Sequence, residues 1–113
     1  MGKRDELIEK YAEDLRTKCD IQPDMDLLRK VVIGLGPTIY RDDSETVASS
    51  DGDELRRIEN NFLKRRLALP EGEHLMGGIQ SVIRVYGHSN RHKYRAVVYY
   101  LLVKHFKKED AYA

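Results

Sequence analysis

The sequence predicts an all-α fold, a compact orthogonal bundle of about five or six helices in one domain spanning residues 1–113. Apolar residues recur at three- and four-residue spacing along most of the chain, and strict apolar–polar alternation is hard to find. Capping residues and glycine or proline breakers separate these periodic stretches. Hydrophobic residues make up 41% of the chain and charged residues 35%, a composition typical of folded domains of this length.

Two helices are predicted in the first third of the chain. The first covers residues 3–18 and presents one apolar stripe, formed by Leu7, Tyr11 and Leu15. After the breaker CDIQPD, Asp24 is placed to cap a second helix. The apolar residues of this helix are Met25, Leu28, Val31, Val32 and Leu35. The segment GLGP ends it, and Pro37 begins a short turn that reaches Tyr40.

The middle of the chain combines a polar segment with two further helices. The segment RDDSETVASSDGDE is predicted to hold a short helical turn between two caps, Asp43 or Ser44 and then Ser50 or Asp51. Residues 52–68 then form a helix whose inward residues are Leu55, Ile58, Phe62, Leu63 and Leu67. Pro70 is predicted to start the next helix and Gly87 to cap its end. The stripe of that helix is Leu75, Ile79, Val82, Ile83 and Tyr86.

The last predicted helix, SNRHKYRAVVYYLLVKHF at residues 89–106, is apolar on two faces and has Ser89 as its N-cap. One stripe contains Tyr94, Val97, Val98, Leu101 and Leu102, and the other contains Ala96, Tyr99, Tyr100, Val103 and Phe106. Such a helix is either central to its own domain or uses its second face against another copy of the chain. We favour a buried central helix. If the second face instead packs against another copy of the chain, the predicted interface residues of this homodimer are Tyr99, Val103 and Phe106.

Charge is sorted along the chain. Residues 1–56 contain nine Lys or Arg and fourteen Asp or Glu, a net charge of −5, whereas residues 57–113 carry +6. No acidic residue lies between Glu73 and Glu109, an interval with seven Lys or Arg and all four histidines. The overall charge of +1 identifies no partner class by itself.

The basic start of the last helix is a candidate anion-binding site. Cations at a helix N-terminus are unfavourable by about a few tenths of a kcal/mol each, and a bound anion reverses that effect. The candidate residues are Ser89, Arg91, His92, Lys93 and Arg95. We favour an anion from the acidic half of the protein itself, such as Glu9, Glu13 or Asp14. The alternative is an external phosphate or carboxylate.

Catalytic, metal and cofactor motifs are not recognised in the sequence. His88 and His92 have the i,i+4 spacing of metal ligands, but the predicted cap at Ser89 lies between them, so surface histidines are favoured. The acidic residues at 42–54 lack the glycine and terminal glutamate of a calcium loop. GLG has no third glycine or preceding strand for a dinucleotide, and Cys19 has no histidine in a nucleophile motif. No cofactor is expected, and the sequence favours a non-enzymatic protein over an enzyme.

The chain is expected to be cytoplasmic and not bound to a membrane. Cys19 is the single cysteine and cannot form an internal disulfide, and the first ten residues have no apolar signal core. The longest apolar run, AVVYYLLV, is far short of the roughly 20 residues that cross a bilayer. Nucleic-acid binding is disfavoured, because PTIYRDDSE is acidic and the overall charge is near neutral.

Three segments, KRDELIEKYAEDL, DMDLLRKVVIGLGPTIY and SNRHKYRAVVYYLLVKHF, resemble an uncharacterised bacterial family, domain of unknown function 2853. The resemblance implies a small, cytosolic, helical protein without an assigned activity, substrate or cofactor, and it assigns no residue a role. The residues themselves favour a non-enzymatic binding or assembly module, as a homodimer or with an acidic protein partner. The alternative is phosphate or nucleic-acid binding through the basic N-terminus of the last helix.

Overall fold

Six α-helices form the framework of the computed structural model, which describes residues 2–113. They are α1 (Lys3–Lys18), α2 (Met25–Leu35), α3 (Asp42–Glu45), α4 (Gly52–Arg57), α5 (Glu73–Tyr86) and α6 (Arg95–His105). A π-helix, Ile58–Arg66, continues α4 and is called the π segment, and 3₁₀ turns occupy Gly36–Tyr40 and Glu109–Tyr112. Residues 2–113 contain no strand, so the all-α prediction is confirmed. In the same range, each helix is too short or too polar to cross a lipid bilayer.

Helix α6 lies at the centre of the core, in contact with α1, α2, α3 and α5. Seven of its residues are buried: Ala96, Val97, Val98, Tyr100, Leu101, Leu102 and Val103. These residues come from both predicted stripes, because neighbouring helices cover opposite sides of α6. The prediction of a buried C-terminal helix is therefore confirmed. The hydroxyl of Tyr100 also accepts a hydrogen bond from the backbone N–H of Asp24 at 2.8 Å, which ties α6 to the start of α2.

Three predicted capping residues, Asp24, Asp51 and Gly87, are confirmed. The prediction of Asp43 or Ser44 as a cap is wrong, because both lie within α3, whose N-cap is Arg41. The Asp24 carboxylate accepts hydrogen bonds from the backbone N–H groups of Asp26 and Leu27 at 3.1 and 3.2 Å. Asp51 accepts from the N–H of Asp53 at 2.9 Å. Gly87 ends α5 with φ of 102°, a backbone conformation that side chains with a Cβ rarely adopt. These short-range signals fix where α2 and α4 begin and where α5 ends.

The predicted start of the last helix at Ser89 is wrong. Helix α6 begins six residues later, at Arg95, and its N-cap is Tyr94. One local and one long-range hydrogen bond hold the intervening loop away from helical geometry: the Asn90 side chain donates to Tyr86 O at 2.5 Å, and Val47 N donates to Lys93 O at 2.8 Å. An isolated antiparallel bridge also pairs Tyr94 with the segment that follows α3.

Two further helix predictions differ from the structure. Helix α5 begins at Glu73 and not at Pro70, because Glu71 and Gly72 form a bend before it. The predicted helix at 52–68 is α-helical only to Arg57 and then continues as the π segment. There the N–H of Leu67 bonds Phe62 O, five residues back, at 2.9 Å.

Candidate functional site

Arg95 joins three parts of the chain through one guanidinium group. Its Nε donates to Ser44 O at 2.9 Å, and one Nη donates to Thr46 O at 3.3 Å and to Glu54 Oε1 at 2.5 Å. The Arg95 side chain is 14% exposed and that of Glu54 is 10% exposed. Burial alone would lower the pKa of Arg95, but the hydrogen bond to Glu54, then the hydrogen bond and charge of Tyr99, and then the charge of Glu54 raise it. Arg95 therefore stays charged and fixed at the start of α6.

Glu54 holds a second arginine with its other carboxylate oxygen. Arg57, one turn along the same helical stretch, donates to Glu54 Oε2 at 3.1 Å. Unlike Arg95, the Arg57 side chain is 61% exposed. One buried carboxylate thus faces two guanidinium groups, and the cluster of three charged residues has a net charge of +1.

These residues line an open cavity of about 440 Å³, which we call the arginine cleft. Its lining residues are Asp43, Ser44, Thr46, Val47, Ala48, Glu54, Arg57, Arg91 and Arg95. The cleft contains three arginines and two carboxylates. Arg91 is exposed, and none of the ion pairs found within residues 2–113 includes it. The cleft is therefore a positively charged surface with one free guanidinium group at its wall.

The five predicted anion-site residues do not converge. Arg91 and Arg95 both line the arginine cleft, whereas exposed Ser89 lies in the turn after α5. His92 lines a neighbouring cavity with Asp42 and Glu45. Lys93 is 3% exposed, and its Nζ donates to Asn90 O at 2.6 Å. Burial lowers the pKa of Lys93.

The carboxylate that neutralises Arg95 is internal, as favoured from the sequence, but it is Glu54 and not an acid of α1. Glu13 pairs with Arg16, and Asp14 accepts a hydrogen bond from the hydroxyl of Tyr86. The acidic half of the chain therefore meets the start of α6 through α4. The sequence gives a partial signal for this cluster, because Glu54 and Arg57 have the i,i+3 spacing of a helical ion pair. Its long-range contact with Arg95 has no local signal.

The three predicted interface residues pack against their own chain. Val103 is fully buried, and the Tyr99 ring stacks on Phe62 with 3.9 Å between ring centroids. Phe106 is partly buried against Gly78 of α5. None of these side chains is among the exposed large hydrophobic residues of the described chain, which are Ile33, Tyr40 and Val85.

The chemistry available at the arginine cleft is charged hydrogen bonding. Within residues 2–113, no group of three or more His, Cys, Asp or Glu side chains is placed to hold a metal ion.

Cys19 is buried, and desolvation together with the charge of Asp14 raises the pKa of its thiol to about 11. At neutral pH this thiol is protonated and a poor nucleophile.

Comparison with known proteins relates the chain to one family. No curated protein matches the sequence. The family model described as "Protein of unknown function (DUF2853)" matches residues 10–110 of the 113-residue chain. That range contains every residue of the arginine cleft and all of α2 to α6. Because the match covers nearly the whole sequence, the resemblance drawn from the three segments is confirmed: the chain belongs to the DUF2853 family.

Proposed function

We propose that this protein is a non-enzymatic binding module that holds an acidic segment of a partner protein in the arginine cleft. The observation that carries the proposal is the arrangement of the three arginines. Arg95 is fixed by Glu54, Arg57 shares the same carboxylate at the exposed side, and Arg91 has no ion-pair partner within residues 2–113. A carboxylate from a partner would complete the charge balance of the cleft.

The rigid base of the cleft favours binding. Arg95 donates to two backbone carbonyls and one carboxylate, so its position does not depend on a ligand. A partner must order only Arg91 and the exposed end of Arg57, which limits the entropy lost on association. Arginine also presents its N–H groups in a planar fork that matches a carboxylate.

The acidic residues beside the cleft favour a carboxylate over a polyanion. Asp43 and Glu54 line the cleft, and Asp42 lines the neighbouring cavity. A nucleic acid carries a phosphate at every nucleotide, and these carboxylates would repel its successive phosphates. A peptide carboxylate places a single negative charge between the arginines. The phosphate or nucleic-acid alternative is therefore the second candidate, and only the guanidinium groups support it.

Fluorescence anisotropy with labelled peptides tests the proposal. A short glutamate-rich peptide should bind at low ionic strength and weaken as salt is added, whereas a lysine-rich peptide of the same length should not bind. Arg91→Ala should weaken binding about five- to tenfold, the loss expected for one exposed charged hydrogen bond. Arg65→Ala is the matched control, because Arg65 is also exposed and lies outside the cleft.

Two outcomes would count against this function. If the Arg91→Ala and Arg65→Ala proteins bind the acidic peptide with equal affinity, the peptide does not bind at the arginine cleft. Tighter, salt-dependent binding of a mixed oligonucleotide than of the acidic peptide would favour the second candidate. Sedimentation at high protein concentration tests self-association separately, and a monomer would remove the homodimer form of an assembly module.

A further inference from the structure

A second cavity, of about 200 Å³, lies between α2, the π segment, α6 and the C-terminal 3₁₀ turn. We call it the tyrosine cavity, because the rings of Tyr99 and Tyr112 form part of its wall. Val31, Leu35 and Phe62 supply further apolar surface. The cavity is open to solvent where Gly34, Asn61 and Arg66 are exposed. Its volume exceeds that of an enclosed engineered cavity of about 150 Å³ that holds one benzene molecule, so a single ring with a small substituent fits.

The π segment places two polar side chains at this cavity. Asn61 and Arg66 both line it, although they are five residues apart. In an α-helix, residues five apart lie roughly 140° from each other around the axis, at 100° per residue. In a π-helix, hydrogen bonds join residues five apart, so such residues lie about one turn from each other on the same side. π-Helical turns are rare and are frequently found at functional sites.

Arg66 is available to bind an anion. Its guanidinium carbon lies over the Tyr112 ring, 4.1 Å from the ring centroid. None of the side-chain hydrogen bonds found between described residues involves the Arg66 guanidinium, so its N–H groups are free to bind an anion. Within residues 2–113, no carboxylate forms an ion pair with Arg66.

Tyr112 adds a second free polar group to the wall. The residue is 9% exposed, and its hydroxyl makes none of the side-chain hydrogen bonds found between described residues. Among residues 2–113, no buried side-chain polar atom lacks a hydrogen-bond partner, so the Tyr112 hydroxyl is accessible to solvent and free to bond a ligand. Gly34 lines the cavity next to the Tyr112 ring and has no side chain to fill the space.

We propose that the tyrosine cavity binds a small aromatic carboxylate of about the size of benzoate. The ring lies against Phe62 and the two tyrosines, and the carboxylate pairs with Arg66 at the rim, within reach of Asn61. This site is separate from the arginine cleft and shares no lining residue with it.

The test is an NMR titration of the ¹⁵N-labelled protein with benzoate, benzamide and inorganic phosphate. Benzoate should shift the backbone amide signals of Gly34, Asn61 and Tyr112 with a Kd of about 1 mM or tighter, as expected for a fragment of this size. Benzamide, which has the same ring without the charge, should bind at least about fivefold more weakly, and phosphate should leave these signals unchanged.

Paired variants separate binding from folding. Arg66→Ala should weaken benzoate binding about tenfold or more, whereas Arg65→Ala should not. A Cβ at Gly34 would lie 3.8 Å from Tyr112 Cε1, an ordinary contact, so Gly34→Leu places its side chain beside this wall of the cavity and should abolish binding, with circular dichroism checking that the variant folds. Gly77→Leu is its control, because Gly77 is helical, faces open space and does not line the cavity. The proposal is overturned if benzoate leaves the three signals unchanged at about 10 mM, or if Gly34→Leu and Arg66→Ala bind it as the unaltered protein does.

Discussion

Replacing Glu54 by glutamine should destabilise the protein far more than removing its exposed partner Arg57. Glu54→Gln keeps the shape of the side chain and one oxygen that can accept a hydrogen bond, but it removes the negative charge. The side chain of Arg95, 14% exposed and charged, then has no carboxylate in contact. In Arg57→Ala, by contrast, Glu54 keeps its 2.5 Å ion pair with Arg95.

The size of the effect follows from burial. Removing one partner of a buried ion pair costs about 3–5 kcal/mol, because the other charge stays buried without compensation. Arg95 keeps two backbone carbonyl acceptors and a small exposed area, which places Glu54→Gln at about 3 kcal/mol. For 113 residues, the entropy of unfolding is about 0.24 kcal/mol per degree, so Tm should fall by about 12 °C. Arg57→Ala, with a side chain 61% exposed, should cost less than about 1 kcal/mol.

Urea unfolding followed by circular dichroism measures both variants. The variant Arg95→Met provides an internal check on the cost of the uncompensated charge. Glu54→Gln combined with Arg95→Met removes the uncompensated charge, so the double variant should be more stable than the sum of the two single losses predicts, by at least about 1 kcal/mol. The reasoning is refuted if Glu54→Gln costs no more than Arg57→Ala, or if its cost disappears at high salt, as it would for an exposed pair.

Three further predictions concern the fold. Gly77→Ala should stabilise α5 by about 0.5–1 kcal/mol, because a Cβ at this position meets nothing within 4 Å. Gly78→Ala should instead destabilise the protein by about 1–3 kcal/mol, because its Cβ would lie 2.7 Å from Phe106 Cε2. Equal thermal melts for these two variants would contradict the packing of α5 on Phe106. Asp24→Ala should cost about 1 kcal/mol in urea unfolding through loss of the α2 cap, and no loss would contradict that capping role. Burial and then the charge of Asp14 raise the pKa of Cys19 from 9.0 to about 11. The contribution of this shift to the free energy of unfolding is fully present below pH 9 and is lost as the pH rises to 11. Cys19→Ala should therefore reduce the loss of stability over this range by about 1–2 kcal/mol. An unchanged slope of stability against pH in that variant would contradict this assignment.

The sequence predicts those features that depend on neighbouring residues. The cap at Asp24, the end of α5 at Gly87 and the burial of both stripes of α6 follow from spacing and side-chain type. Ser89 fails as a cap because the loop after α5 bonds to Val47, which is distant in sequence. Long-range contacts of this kind leave no periodic signal.

The same distinction applies to the two sites. Arg91 and Arg95 are recognisable as unusual cations in the sequence, but the buried carboxylate that pairs with Arg95 belongs to the polar segment RDDSETVASSDGDE, whose composition does not indicate a buried residue. The π segment is also hidden from the sequence, because its apolar residues Ile58, Phe62 and Leu63 fit an α-helical stripe equally well. The tyrosine cavity depends on this change of helix type, so spacing rules for α-helices do not place Asn61 beside Arg66.

In the folded protein, few ion pairs join the acidic first half of the chain to the basic second half. Within residues 2–113, Glu54 is the acidic residue of the first half that pairs with cations of the second half, Arg57 and Arg95. The other ion pairs join residues of the same half. Seven of the eleven Lys and Arg after position 56 consequently have no ion pair among the described residues: Arg65, Arg66, Arg84, Arg91, Lys93, Lys107 and Lys108.

Most of these unpaired cations are exposed, whereas Lys93 is buried. A surface with this excess of positive charge attracts acidic partners over a distance of about a Debye length, roughly 8–10 Å at physiological salt. Exposed cations of this kind act mainly on the rate of encounter, while groups held in fixed geometry act on the lifetime of the complex. Adding salt should therefore reduce the association rate of an acidic partner at the arginine cleft, and Arg91→Ala, which removes one of these exposed cations, should also reduce the association rate, with a smaller effect on the dissociation rate. Stopped-flow measurements of both rates distinguish these effects, and an association rate independent of salt would show that the unpaired cations have no part in recognition.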